Sequence, residues 1–293
     1  MGYLSNKKHQ TFIKTNLNIF LFFSLIITFI SFFQNDLCSL LAEYRAQLYI
    51  LLTMAFFYTI FKKMYLFAFL FFILGTINFF AISSTNNFFS PKHNANLSSI
   101  LFGSHQTNIS PLLKQISNNT PDIVAITNSN LHNFEIQDII PQNYTVAAKD
   151  DKFQNFIITN LPIKQSGHIN LGFDCQAPFV KVEKNSLPIT YIAVDFSAYS
   201  LAKTNIMLKK ISSFITHQDN PVVIFGNFNT VSWSYSLSAF IDENNLSVKN
   251  AFFDNIRNLI LPPHYYILGY NEGNFVGNII FPHLNSFAKF TRF

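Results

Sequence analysis

Three long apolar runs dominate the first 85 residues of the chain. They cover Leu17–Phe33, Leu48–Phe61 and Met64–Ile82. A helix that spans a bilayer needs about 20 mostly apolar residues. The third run has this length, the first is at the short limit, and the second reaches it only by including residues 40–46. The pattern therefore predicts three transmembrane helices in a membrane domain at residues 1–85, with the lipid bilayer as its partner.

Lysines flank the predicted spans on one side of the membrane. They stand before the first run and between the second and third: Lys7, Lys8, Lys14, Lys62 and Lys63. Because positively charged segments stay in the cytoplasm, the N-terminus is expected inside and everything after Ile82 outside. The expected location is a bacterial inner membrane, with the C-terminal domain in the periplasm or outside the cell. A cleaved signal peptide is the alternative for the first run, but two more runs follow and no Ala-x-Ala-like site is present.

A different pattern begins after residue 85. Residues 86–98 are rich in Ser and Asn and are interpreted as a linker. In residues 99–293, short apolar runs typical of buried strands alternate with helical periodicity. The strands are expected at residues 123–126, 156–159, 189–194 and 222–225, and the helices around residues 109–116 and 201–215. The alternation predicts one α+β domain of about 200 residues, which is enough for a sizeable core.

Composition supports this division of the chain. Hydrophobic residues make up 49% of the chain and 36 residues are Phe, which is more than an ordinary soluble protein contains. Most of the net charge of +5 lies in the first 90 residues. The exported domain is therefore close to neutral, and no nucleic-acid binding is expected. The two cysteines, Cys38 and Cys175, cannot form a disulfide framework or a zinc site, and two unpaired thiols are favoured over a bridge.

The segment with the clearest chemistry follows the apolar run Val222–Phe225. It reads Gly226-Asn227-Phe228-Asn229 and resembles the Gly-Asp-Phe-Asn strand end of the endonuclease/exonuclease/phosphatase superfamily. Further segments resemble motifs of that superfamily in the same order: Glu43–Tyr49, Pro121–Asn128 and Ile157–Ile163. The resemblance extends over nearly the whole chain and is closest to a bacterial membrane-anchored branch with three N-terminal spans. It implies a four-layer α/β/β/α sandwich and, for the family, hydrolysis of phosphate esters with Mg²⁺ or Mn²⁺.

Carried over residue by residue, the resemblance puts uncharged side chains at most catalytic positions. The family's metal-binding Glu falls on Asn128, the Asp of its Gly-Asp-Phe-Asn motif on Asn227, and its mid-chain His on Asp195. The Asn of the motif is retained as Asn229, and His283 matches the final His. The family's Asp-His pair falls near Tyr265-Tyr266 and is lost. The implied site has catalytic positions at Asp195, Asn229 and His283, and binding positions at Asn128, Asn227 and Asn229.

The charge at these positions decides which function the sequence favours. Mg²⁺ is usually held by one or two carboxylates, and Asn at positions 128 and 227 supplies none. We therefore expect an inactive domain without a metal or cofactor, which acts as a binding or structural module for a protein or a phosphate-containing ligand. One alternative is a Mg²⁺- or Mn²⁺-dependent hydrolase of nucleic acid, phospholipid or a small phosphate ester with substituted residues. Another is a decaying gene product with no present role.

Two further groups of polar residues carry no predicted chemistry. Asp150-Asp151 is interpreted as a solvated turn. Four histidines lack the spacing of metal ligands and are expected to face solvent or to make local hydrogen bonds: His132, His168, His217 and His264.

Overall fold

The chain forms two compact units. The first consists of Met1–Ser84 together with Trp233–Tyr235, and the second of Thr85–Ser232 and Ser236–Phe293. The computed structural model describes the following residues: 2–30, 32–33, 41–42, 44–85, 97–103, 110–127, 133–150, 155–248, 265–270 and 275–280.

The described part of the first unit contains three long helices, α1 (Gly2–Ile30), α2 (Arg45–Phe61) and α3 (Tyr65–Thr85). Within the residues described, two segments have the length and mean hydropathy of a membrane span, Gln10–Ile30 and Tyr65–Ser83. The helix α2 is apolar but has 17 residues and is shorter than these segments. The described parts of the three apolar runs thus lie mainly in helices, and two segments meet the length of a span.

Large apolar side chains lie both inside and outside this unit. The buried cluster that joins the helices contains Leu48, Leu52, Phe71 and Leu74, and side chains of α1 pack against it. One polar contact is also buried, because Asn78 Nδ2 donates a hydrogen bond to Thr28 Oγ1 at 2.8 Å. On the outside, Phe61 is 82% exposed and Leu66 is 71% exposed. Large apolar side chains are therefore present on the outer surface of the helices as well as in their shared core.

The second unit contains a first sheet with two helices in its connections. Its elements are β1 (Leu97–Gly103), α4 (Ser110–Asn119), β2 (Ile123–Thr127), α5 (Asn133–Ile139), β3 (Thr145–Asp150), β4 (Asn155–Thr159) and β11 (Phe275–Ile280). In the described residues the strand order is β11-β1-β2-β4-β3. The strand β1 is parallel to β2 and β11, whereas β4 is antiparallel to β2 and β3. The carboxyl ends of β2 and β3 and the amino end of β4 therefore lie at the same edge of the sheet.

A second sheet contains the segment with the predicted motif. Its elements are β5 (Ile163–Gly172), β6 (Cys175–Lys184), β7 (Leu187–Asp195), α6 (Leu201–Ile215), β8 (Val222–Asn227), α7 (Tyr235–Glu243), β9 (Leu246–Val248) and β10 (Tyr265–Tyr270). Its order, over the part of the chain that is described, is β5-β6-β7-β8-β10-β9. The strands β7 and β8 are parallel, and β10 is antiparallel to β8.

Alternation of side chains divides the apolar core of this unit into layers. Successive residues of a strand point to opposite faces of the sheet. In β2, Ala125 belongs to a cluster between the two sheets, whereas Val124 belongs to a cluster with α4 and α5. In β8, Phe225 belongs to the cluster between the sheets, and Ile224 packs with α6 and α7. Each sheet thus buries one face on the other sheet and one face on helices.

The strands and helices that the sequence predicts in this unit are confirmed. The four expected strands lie in β2, β4, β7 and β8, and the two expected helices lie in α4 and α6. The hairpin strand β5 was not predicted, because most of its side chains are exposed and no apolar run marks it. Leu97 and Ser98, at the end of the expected linker 86–98, belong to β1, and residues 86–96 lie outside the described residues. Cys175 is buried in β6, and Cys38 lies outside the described residues.

Candidate functional site

Two candidate residues lie side by side at the ends of neighbouring strands. Asp195 is the last residue of β7 and is in register with Asn227, the last residue of the parallel strand β8. On the other side of β8, the antiparallel strand β10 places Tyr265 opposite Asn227. Positions 195, 227 and 265 therefore form a row across three strands at one end of the sheet, which we call the strand-end row. The resemblance implies a functional role for all three positions.

Gly226 allows the end of β8 to reach this row. Its φ is +146°, and a Cβ added there would lie 1.9 Å from the carbonyl oxygen of Val194 on β7. A residue with a side chain could not adopt this conformation without moving one of the two strands, so glycine is required. The Asn227 carbonyl oxygen then accepts a hydrogen bond from the Phe196 amide at 2.8 Å. The glycine thus lets the strands meet closely and positions Asn227 beside Asp195.

Asn227 is buried, and its side chain stabilises the turn that follows β8. Its Oδ1 accepts a hydrogen bond from the Asn229 amide at 2.9 Å, which is the pattern of an Asx turn. Because a backbone N–H can only donate, the atom that it meets is the side-chain oxygen, and the side-chain NH₂ group points elsewhere. Asn229 itself has a φ of +52°, a left-handed conformation that Asn adopts more readily than most residues. Its Nδ2 donates to the Tyr199 carbonyl oxygen at 3.0 Å, so this turn is tied to the loop after β7.

Asp195 makes the corresponding contact in the loop after β7. Its side chain is buried, with 5% of the residue exposed, and Oδ1 accepts a hydrogen bond from the Ser197 amide at 2.9 Å. Asp195 and Asn227 therefore each stabilise the backbone that follows their own strand. Asp195 contributes a carboxylate to the row, whereas Asn227 contributes a neutral amide at the neighbouring position.

The first sheet adds polar side chains at the same end of the core between the sheets. Thr127, Asp150 and Asn155 are each two residues from a residue of that core, namely Ala125, Ala148 and Ile157. Residues two apart point to the same face of a strand, so all three point between the sheets. The same alternation from Ala193 and Phe225 aims Asp195 and Asn227 inward from the second sheet. These five buried residues, Thr127, Asp150, Asn155, Asp195 and Asn227, form a polar layer at one end of the inter-sheet core.

Asp150 and Asn155 were not recognised as site candidates from the sequence. The interpretation of Asp150-Asp151 as a solvated turn is wrong for Asp150, which is 6% exposed and ends β3, while Asp151 lies outside the described residues. Asp150 is paired in register with Asn155 on β4. A pair of adjacent aspartates followed by lysine is typical of a turn, so no local signal reveals the burial. The pairing across two strands is what brings Asp150 to this end of the core.

Tyr199 belongs to the loop that Asn229 contacts. Its hydroxyl donates a hydrogen bond to the Phe173 carbonyl oxygen at 3.4 Å. Burial raises the pKa of Tyr199 above its usual value, and the nearby Cys175, Asp150 and Asp174 raise this pKa further.

Asn227 offers a divalent metal ion only a neutral oxygen, of which one lone pair is already in use. Mg²⁺ and Mn²⁺ bind oxygen ligands, and the side-chain oxygen of Asn227 already accepts the Asn229 amide. Its NH₂ group donates hydrogen bonds and does not coordinate a cation. Over the described part of the chain, no group of three His, Cys, Asp or Glu residues could hold a metal ion.

The remaining sequence candidates fall into two groups. Asn128 and His283 lie outside the described residues, as do His132 and His264, so their roles stay predictions. His217 is exposed and its Nδ1 contacts the Ser213 carbonyl oxygen at 2.6 Å, as expected for a locally bonded histidine. His168 is also exposed, but its Nε2 contacts the carbonyl oxygen of Lys149, which is 19 residues away.

Comparison with known proteins gives similarities of fold alone. No family model matches the chain, and no curated protein matches it. Among solved structures, an endonuclease/exonuclease/phosphatase family protein from Leptotrichia buccalis is 12% identical, with a TM-score of 0.44, over 64% of this chain and 93% of that one. A mannosyl-6-phosphatase from Bacteroides thetaiotaomicron is 12% identical, with a TM-score of 0.49, over 64% and 90%. A 3′ phosphatase from Neisseria is 14% identical, with a TM-score of 0.45, over 60% and 87%. At these identities and TM-scores, the similarities do not identify the family or the activity of this chain.

Proposed function

We propose that this protein is anchored in a bacterial inner membrane and carries an exported endonuclease/exonuclease/phosphatase-like domain that binds a ligand without hydrolysing it. All three N-terminal helices span the membrane in this proposal, and the two sheets with their helices form a four-layer sandwich. The ligand is a phosphate-containing molecule or a protein.

The surface of the helices supports the membrane anchor. Phe61, Leu66 and Met54 are exposed by 82%, 71% and 64%, although each is large and apolar. Large apolar side chains on a surface are unfavourable in water and favourable in lipid. A helix of 17 residues such as α2 can span a bilayer when residues at its ends extend towards the interface. The positions of the lysines then put the C-terminal domain outside.

Membrane topology is tested with a reporter fused after Phe293. Alkaline phosphatase is active only after export, so a fusion at this point should be active if the domain is outside. A cytoplasmic reporter at the same point should be inactive. The opposite pair of results would overturn the orientation.

The layered core supports the sandwich. Three apolar clusters follow one another, from α4 and α5 through the first sheet, the space between the sheets and the second sheet to α6 and α7. This arrangement is the one that two sheets with helices on their outer faces require.

The observation that carries the inactive assignment is the hydrogen bond from the Asn229 amide to Asn227 Oδ1. It uses one lone pair of the single side-chain oxygen and leaves Asn227 with a neutral amide, at a position where metal-dependent hydrolysis needs a carboxylate. An amide donor beside Asp195 suits hydrogen bonding to a ligand, and it does not offset the charge of a divalent ion. The next residue in the chain supplies no replacement oxygen, because Phe228 is an apolar residue of the buried core.

Calorimetry and hydrolysis assays on the full chain in mild detergent test the assignment. We expect no binding of Mg²⁺ or Mn²⁺ and no hydrolysis of bis-p-nitrophenyl phosphate or DNA above background. Asn128→Glu combined with Asn227→Asp should create metal binding, because it restores two carboxylates. Robust Mg²⁺ binding by the unmodified protein, abolished by Asn128→Ala, would contradict the inactive assignment.

One observation favours the alternative of an active Mg²⁺- or Mn²⁺-dependent hydrolase with substituted residues. Asp150 and Asp195 both belong to the polar layer, so this end of the core has two carboxylates even without those of the family motif. If the alternative holds, metal-dependent hydrolysis should be measurable and Asp150→Asn should abolish it. If the inactive assignment holds, Asp150→Asn changes no hydrolysis rate because there is none to change.

A further inference from the structure

A groove runs between α2 and α3 in the first unit. Its lining comes from residues between Tyr49 and Phe57 of α2 and between Phe71 and Phe79 of α3. The groove has a volume of about 260 Å³, which is less than the roughly 300–1,000 Å³ of a site that encloses a whole small molecule. A groove of this size suits a segment of a longer molecule.

Two aromatic pairs cross from α2 to α3 and close the groove at its ends. At one end the ring centroids of Tyr49 and Phe79 are 5.7 Å apart, and at the other end those of Phe56 and Phe72 are 5.8 Å apart. Seven residues separate the two pairs on each helix, so the groove between them is about 10 Å long. A helix with its side chains is itself about 10–12 Å wide. The closed groove therefore does not accommodate a further helix lying along it.

Gly75 leaves the middle of the groove without a side chain. A Cβ at this position would meet the Leu52 Cβ on α2 at 3.9 Å, which is an ordinary contact. Leu52 and Phe71 belong to the buried cluster that joins the helices, so they form the floor of the groove. A side chain longer than that of alanine at position 75 would therefore extend into the groove or against α2.

The threonine hydroxyls of the lining bond to their own helices. Thr53 Oγ1 donates a hydrogen bond to the Tyr49 carbonyl oxygen at 2.9 Å, and Thr76 Oγ1 donates to the Phe72 carbonyl oxygen at 2.8 Å. Because a hydroxyl has a single proton, neither threonine has a donor left for a ligand. The described lining contains no charged side chain and no histidine. The groove therefore suits an apolar ligand.

Tyr49 gives the groove one polar end. Of the lining residues on α2, it is the nearest to the start of the helix at Arg45. In the proposed topology this end of α2 lies near the membrane surface, where tyrosine is favourable because its ring is apolar and its hydroxyl is polar. Beyond Tyr49 the groove offers mainly aromatic rings, Leu52 and the backbone at Gly75. A polar end followed by apolar groups matches the acyl chain of a lipid below its headgroup.

We propose that the groove between α2 and α3 binds a segment of a lipid acyl chain, which lies between the two aromatic pairs and over Leu52 and Gly75. The inference rests on the proposed membrane anchor, because the bilayer supplies the lipid. It goes beyond the anchor, since a chain held in this groove stays with the protein when the surrounding bilayer is removed.

The test uses the full chain in phosphatidylcholine vesicles that contain a phospholipid with a photoactivatable diazirine in the middle of one acyl chain. The protein is transferred into mild detergent without the probe and is then irradiated, so that only lipid that stayed with the protein forms crosslinks. Mass spectrometry locates these crosslinks. We expect them on the walls of the groove around Thr53 and Thr76, and not at Leu66, which is 71% exposed but does not line the groove.

Variants that fill the groove should lose the retained lipid. Thr76→Phe adds a ring to the wall of the groove and should remove most of the crosslinks. Ile73→Phe is the matched control, because it adds a ring to α3 at a position that is 38% exposed and outside the lining, and it should leave the crosslinks unchanged. Gly75→Leu fills the groove from its floor and should give the same loss as Thr76→Phe. Circular dichroism of each variant establishes that its helices are formed.

Loss of the crosslinks in Thr76→Phe, with Ile73→Phe unchanged, supports the site. Equal amounts of retained lipid in these two variants, or crosslinks spread evenly over Leu66 and the groove, overturn it. A dimer crosslinked through the walls of the groove also overturns it, because a second copy of the chain would then be the occupant.

Extraction of the vesicles with alkaline carbonate separates this result from the anchor itself. Release of the protein from the vesicles would contradict the anchor and the groove together. A protein that stays in the vesicles but retains no lipid in detergent would contradict the groove alone.

Discussion

Replacing Asn227 by Asp tests the electrostatics of the strand-end row. The change keeps the size of the side chain, and a carboxylate oxygen can still accept the hydrogen bond from the Asn229 amide, now 2.9 Å from Oδ1. The NH₂ group, however, becomes a second charged oxygen in the row. Asp195 is its neighbour in register on the adjacent parallel strand. The substitution therefore adds a like charge without removing the contact that shapes the turn.

The size of the effect follows from the spacing of the strands. Neighbouring strands are about 4.8 Å apart, so the two carboxylates are expected at about 5 Å. At an effective dielectric constant of about 20, their repulsion is about 3 kcal/mol. Repulsion raises the pKa of the pair in the folded state. The loss of stability is consequently present at neutral pH and disappears in acid, once the pair has taken up a proton.

Urea unfolding of the full chain in mild detergent, followed by circular dichroism, measures this loss. Asn170→Asp is the matched control, because Asn170 Oδ1 also accepts an amide two residues later, from Gly172 at 2.9 Å, but on an exposed part of β5. We expect Asn170→Asp to cost less than about 0.5 kcal/mol, as most surface substitutions do. Adding Mn²⁺ should restore part of the stability of Asn227→Asp, since paired carboxylates attract a divalent ion.

A double-mutant cycle decides whether repulsion from Asp195 is the cause. In the background of Asp195→Asn, the second substitution Asn227→Asp creates no carboxylate pair and should cost little. The reasoning is refuted if Asn227→Asp costs the same in both backgrounds, because the loss then arises from the turn and not from the neighbouring charge.

Two further predictions concern the opposite end of the sheets. Lys184 pairs with Asp122 at 2.6 Å, with side chains 25% and 12% exposed, so Lys184→Met should cost about 2 kcal/mol by leaving a buried carboxylate without its cation. Lys164→Met is its control and should cost under about 1 kcal/mol, since the Lys164–Glu183 pair is 52% and 36% exposed; equal losses in urea unfolding would contradict the role of burial. Burial raises the pKa of Tyr144 to about 12. The contribution of the neutral Tyr144 hydroxyl to the free energy of unfolding is therefore complete below about pH 10 and is lost as the pH rises through about 12. Tyr144→Phe should remove that part of the alkaline loss, about 3 kcal/mol, and an unchanged pH dependence of unfolding would show that Tyr144 is not responsible.

Local patterns predicted the elements that are buried on both faces or on one regular stripe. The run Val222–Phe225 is apolar at every position because β8 lies between two layers of the core. The periodicity around Leu112 and Ile116 is present because α4 covers the first sheet with one face. The three N-terminal runs lie mainly in helices, and their continuous apolar composition marked these helices in the sequence. For β8 and α4, burial imposes the residue types along a continuous segment, so the sequence shows it.

The motif likewise allowed Asp195, Asn227 and Asn229 to be named before their positions were known. Each is close to the end of a strand that the sequence already predicted, and parallel neighbours bring such ends together. Strands without a continuous apolar run were the exception, including the inner strand β6, in which polar residues and Pro178 interrupt the apolar positions. The exposed strand β5 has no apolar run, and β3 was missed together with Asp150, because neither has the pattern of a strand buried on both faces.

The tertiary structure alone decided two features of the candidate site. Asp150 joins the polar layer only because β3 pairs with β4 and faces the second sheet. One lone pair of the Asn227 oxygen is occupied only because the turn directs the Asn229 amide at it. Both depend on pairings between residues far apart or on the geometry of a turn, and a linear sequence of residue types contains no direct record of either.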